Sequence, residues 1–80
     1  MRYEHHPDPA TAYCIEADII EAIYHDVRAG LTSKAILKPR VERAMQFRVG
    51  GDLHAVCAKN RVREIAAVIA EEEAKEKADV

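Results

Sequence analysis

The chain predicts an α+β domain in which two amphipathic helices flank a β-hairpin. Three observations carry that expectation. Apolar residues recur at helical spacing between a start signal at Asp8-Pro9 and a stop signal at Gly30. A second helical pattern follows Asn60. Between the two, Val41, Met45, Phe47 and Val49 alternate with Glu42, Gln46 and Arg48 ahead of Gly50-Gly51. Eighty residues make one small domain, 1–80.

The first helix is read over 9–29. Asp8 is an N-cap residue whose carboxylate accepts from orphan amides, and Pro9 at the first helical position lacks an N–H that would go unsatisfied anyway. Gly30 supplies the left-handed conformation that ends the helix. At about 100° per residue, Ala12, Ile15, Ile19, Ile20, Ala22, Ile23 and Val27 form an apolar arc, which Tyr13, Ala17 and Tyr24 widen. Cys14, Asp18, Glu21, His25 and Arg28 lie opposite. Glu16 falls inside the arc, where a carboxylate is desolvated unless paired. It is therefore a candidate partner-binding acid, or the mate of an arginine from the middle segment.

Residues 34–59 form a basic middle with two readings. In the hairpin, a three-residue loop from Gly50 to Asp52 sets Val49 opposite Leu53, Phe47 opposite Ala55 and Met45 opposite Cys57. Pro39 then sits at a strand edge. In the alternative, an all-α three-helix bundle, Pro39 begins a short helix closed by Gly50, and Asp52 caps a long helix through Ala55, Ala58, Val62, Ile65 and Ile69. Leu53, Val56 and Cys57 fall opposite that stripe, which points to a break near Asn60. The hairpin is the preferred reading. Asn60 then caps a C-terminal helix over 60–78, whose tail, Glu71 to Lys77, reads as a solvated, fraying extension stabilised by i,i+4 pairs.

Charge is segregated along the chain. The net formal charge is −2, but residues 1–33 carry −4, residues 34–63 carry +6 and residues 64–80 carry −4. The basic middle makes Arg40, Arg43, Arg48, Lys59, Arg61 and Arg63 candidate anion- or partner-binding residues. Arginine suits bidentate contact with phosphate or carboxylate. The competing reading pairs these cations with the acidic helices, at roughly 0–1 kcal/mol for each surface pair.

Composition bounds the rest. Leu, Ile, Val and Phe number 18 and Trp is absent, so the core is thin. Such a core rarely leaves more than roughly 3–5 kcal/mol of net stability, and a homodimer or docking on a larger partner is expected to supply buried area. The N-terminal stretch has no apolar signal region, and the longest apolar run, Ile65 to Ala70, is too short to cross a bilayer. A cytoplasmic protein with reduced Cys14 and Cys57 is expected.

No catalytic or cofactor-binding constellation emerges. Ser33 is the only serine, and His54 and Cys57 have no third orienting residue beside them. The histidines His5 and His6 with Asp8, or Cys14, Asp18 and His25 on the first helix, lack zinc-ligand spacing. No metal, cofactor or enzymatic activity is expected. The reading that follows is a non-enzymatic regulator or inhibitor that docks on a larger protein or nucleoprotein complex. In size the chain is similar to phage-encoded inhibitors of host defence, anti-CRISPR proteins among them, an analogy that names no residue. The alternative is a small DNA- or RNA-binding regulator using the basic middle.

Overall fold

A computed structural model of the chain describes residues 8–78. Three helices follow one another: α1 over Pro9–Arg28, α2 over Lys34–Gln46 and α3 over Leu53–Ala78. Among the described residues there is no strand. The α+β expectation is thereby overturned, and the architecture is the three-helix alternative.

Local chemistry explains each boundary. The Asp8 carboxylate accepts from the Ala10 amide at 3.1 Å and from the Thr11 hydroxyl at 2.6 Å, so α1 begins where the sequence places its start. Ala29 is the C-cap, and Gly30 follows with φ +78°, closing the helix as its amide donates a hydrogen bond to the Val27 carbonyl at 3.1 Å. The second helix starts five residues before Pro39, because the Ser33 hydroxyl accepts from the Ala35 amide at 3.1 Å. Pro39 lies inside α2, exposed on the side away from the core. The helix thus continues past a residue that cannot donate to the preceding turn. It ends at Phe47, whose extended backbone (φ −72°, ψ 130°) opens the connection to α3.

The residues read as hairpin strands divide between helix and loop. Val41 and Met45 are one helical turn apart on α2, whereas Phe47 and Val49 belong to the connection. Gly50 and Gly51 do not adopt the positive φ that a tight turn would need. Asp52 caps α3: its carboxylate accepts from the Ala55 amide at 3.0 Å and its carbonyl from the Val56 amide at 3.0 Å. Asn60 is an exposed residue in the middle of α3 and caps nothing. Leu53 and Cys57 fall off the core stripe simply because they face solvent.

Cross-helix contacts give the register. Tyr13 meets Ala44 and Glu16 meets Arg40, so α1 and α2 are antiparallel. Lys38 meets Glu73 and Lys59 meets Met45, so α2 and α3 are antiparallel as well. The core is built from Tyr13, Ala17 and Ile20 of α1, Leu37, Val41 and Ala44 of α2, and Ala58, Val62, Ile65 and Ile69 of α3. Among the described residues, only Tyr13, Ile20, Leu37 and Val62 are large side chains with essentially no exposure, in keeping with the thin core expected.

The apolar arc of α1 is wider than the surface it buries. Its buried centre runs through Tyr13, Ala17 and Ile20, while Ile15 and Ile19 remain 48% and 39% exposed. The acidic tail of α3 is helical to Ala78 and mostly exposed. Its Glu72, Glu73 and Glu76 reach Arg28, Lys38 and Lys34 across neighbouring helices.

Candidate functional site

The basic middle separates into cations used by the fold and cations left over. Lys59 is the most thoroughly used. It lies on the core side of α3, 6% exposed, and its Nζ donates to the carbonyls of Ala44, Met45 and Phe47 at 3.1, 2.6 and 2.7 Å. Those carbonyls belong to the end of α2, which no further turn satisfies. The ammonium also complements the negative end of the helix dipole. Burial, with the Arg63 guanidinium nearby, pushes Lys59 below the ordinary lysine range. Tyr13 closes the same corner: its hydroxyl donates to the Ala44 carbonyl at 3.2 Å and its ring stacks on Phe47 at 4.7 Å.

Arg40 pairs with Glu16. One guanidinium nitrogen donates to both carboxylate oxygens, at 2.8 and 2.9 Å, and Glu16 is 5% exposed. The acid singled out within the apolar arc is thus held by an arginine of the middle segment, and it forms a link between α1 and α2. Arg61 bridges Asp18 at 3.2 Å and Glu21 at 2.9 Å, linking α3 to α1 at the surface. Lys38 meets Glu73 at 3.1 Å, and Lys34 meets Glu76 at 3.5 Å.

Arg43, Arg48 and Arg63 are exposed and have no carboxylate partner among the described residues. Their positions follow from the chain. Arg43 is in the last turn of α2, Arg48 follows its C-cap, and Arg63 lies one turn beyond Lys59. All three therefore surround the end of the bundle where α2 stops. Asp8 and Asp52 stand at that same end, as caps of α1 and α3.

Some of the residues weighed for chemistry come together at the surface. Cys14 and Cys57 are unbonded and share a shallow depression of about 420 Å³ with His54, Asp52 and Arg61. Burial and the Asp52 carboxylate push the Cys14 thiol up, which is the direction opposite to activation. Among the described residues, no three His, Cys, Asp or Glu side chains gather as a metal site. The pair His5 and His6 lies outside the described residues. Among the described residues, no helix is long and apolar enough to cross a membrane. Compared with family models, with curated proteins and with solved structures, the chain matches none.

Reading by charge alone grouped six candidates that the fold sorts by role. Arg40, Lys59 and Arg61 hold helices together, and Arg43, Arg48 and Arg63 stay open. One signal for Lys59 was present: it lies between Ala58 and Val62, in phase with the buried stripe of α3.

Proposed function

We propose that this protein is a non-enzymatic regulator or inhibitor that docks on a larger macromolecular assembly through the end of the bundle where α2 stops. One observation carries the reading. The basic-segment arginines that the fold leaves without carboxylates, Arg43, Arg48 and Arg63, all stand at that end. Exposed guanidinium groups suit the carboxylates of an acidic protein face, where planar, paired hydrogen bonds form.

An acidic protein face is favoured over nucleic acid for one reason. Phe47, the one aromatic residue among the basic ones, stacks on Tyr13 and so is not free to take a nucleobase.

Charge reversal tests the proposal. The Arg48→Glu/Arg63→Glu double variant, used beside the wild-type chain as bait in a cell lysate, is expected to lose a protein that the wild type retains. Equal capture by both baits would remove this surface from consideration. Mobility-shift titration with generic duplex and single strands at two salt concentrations should show no complex. A shift that weakens steeply with salt would select nucleic acid instead.

A further inference from the structure

We infer that the outer face of α1 and α2 is a self-complementary surface that pairs with a second copy of this chain about a two-fold axis passing near Ile19 and Ile36. The starting point is the part of the α1 arc that the core does not cover. Ile15 and Ile19 stand 48% and 39% exposed, and Ile23 is only partly buried. These residues recur every four positions and so make one stripe along α1. On α2, Ile36 is 53% exposed.

The Glu16–Arg40 contact shows which sides of the two helices meet. Measured around each helix from its buried centre, Ile19 and Ile36 both lie just outside that contact. The antiparallel register, with Tyr13 beside Ala44 and Glu16 beside Arg40, brings Ile36 to the level of Ile19 and Ile20. The stripe and Ile36 therefore flank the seam between α1 and α2, beside the partly exposed Arg40 guanidinium at the level of Glu16.

The charges at its two ends identify the occupant. Arg43 stands at the end of this face near Tyr13, and Asp26 continues the stripe at the other end, on the last turns of α1. Both are exposed, and neither has an ion-pair partner among the described residues. Along the bundle they are separated by about thirteen residues of α1, roughly 20 Å at about 1.5 Å per residue, with Ile19 midway, and across it by one helix spacing of about 8–10 Å. A two-fold axis through that midpoint, running obliquely past Ile19 and Ile36 so that the two α1 helices cross, lays Arg43 of one copy on Asp26 of the other, twice. The same operation sets Ile15 beside Ile19 and Ile23 of the second copy and gathers the Ile19 and Ile36 side chains of both around the axis. An isologous interface needs this kind of self-match: opposite charges at equal distances from an apolar centre. The thin core supplies the reason that covering the stripe is favourable. The surface shares Arg43 with the docking proposal but neither Arg48 nor Arg63, so the Arg48→Glu/Arg63→Glu variant tests docking while leaving this face intact.

Sedimentation equilibrium of the full chain tests it by charge exchange. The wild type is expected to form a dimer whose population rises with concentration through the micromolar range. Asp26→Arg and Arg43→Asp, each made alone, set like charges together at two places and should weaken the dimer by about tenfold or more. The Asp26→Arg/Arg43→Asp double variant should recover most of that loss. Ile19→Glu should yield a monomer with an unchanged helical circular-dichroism spectrum, and Ile36→Glu gives the same readout should the first variant fold poorly. A wild-type monomer at every concentration would overturn the inference, as would a double variant no better than the single ones. Recovery by the exchange while a different protein competes for the face would still support the second copy. Loss of the dimer only through Arg48 or Arg63 would place the interface elsewhere.

Discussion

Where α2 stops, a cation is withdrawn from water; where α2 starts, cations reach through it. Lys59 is buried and makes three hydrogen bonds to backbone carbonyls, whereas Lys34 and Lys38 meet Glu76 and Glu73 at the surface. All three lysines come from the same basic segment and carry the same formal charge. Their surroundings separate them. A buried donor cannot be removed without stranding its acceptors, but a solvated pair dissolves into water at little cost. Counting charge along a sequence therefore says little about which charges hold a fold together.

The sharpest way to break this comparison is Lys59→Met, which keeps the stem and removes the ammonium. It leaves the carbonyls at the end of α2 without their shared donor, and a loss of about 2–4 kcal/mol in urea denaturation is expected. A change no larger than that of a surface lysine would mean that the three contacts contribute nothing. Glu16→Ala comes next, because it removes a buried carboxylate but leaves Arg40 able to turn towards water. A loss of about 1–2 kcal/mol by the same measurement is expected.

The smallest effect belongs to Glu73→Gln, which should leave the neutral-pH denaturation midpoint almost unmoved. Its signature lies in acid. The hydrogen bond and charge of Lys38 hold Glu73 below the ordinary 4.5, so near that pH the unfolded chain binds more protons than the folded one. The stabilisation is present above 4.5 and fades as pH falls through the native value, and the variant should lose that part of the acid slope. At alkaline pH the two lysines diverge in sign. Lys38 is raised above 10.5 by Glu73, so its contribution is present below 10.5 and is lost as pH rises through the native value. Lys59 is lowered, so between its native value and 10.5 the unfolded chain holds more protons and stability from this group rises with pH. A side-chain NMR titration should find Lys59 on the acid side of 10.5 and Lys38 on the alkaline side. The same side for both would refute the assignment.

The ends of the first helix were legible to within a residue, because their signals are local. Asp8, Pro9 and Gly30 act within one turn of themselves, and their bonds appear where the sequence places them. Glu16 was legible for a similar reason: an acid within an apolar arc needs a partner, and the middle segment held the arginines. The middle segment misled because Pro39 reads as a boundary and the alternation through Val49 imitates a strand. Ser33 with Leu37, Val41 and Ala44 carries the helical signal across that proline. What spacing within one helix does not reveal is which side of an amphipathic arc the neighbours will cover. That depends on the register of α1 against α2 and α3, and it leaves Ile15 and Ile19 outside the core.

The reach of Lys59 also bears on how the molecule comes apart. Its ammonium lies 12 to 15 positions along the chain from the carbonyls it satisfies, and it belongs to a different helix. A helix of 13 residues interrupted by a proline is a poor structure by itself. Its last carbonyls find their donor only where α3 packs against it. The short helix is therefore not expected to outlast α3 on heating, and melting followed by circular dichroism and by tyrosine fluorescence should give one coincident transition.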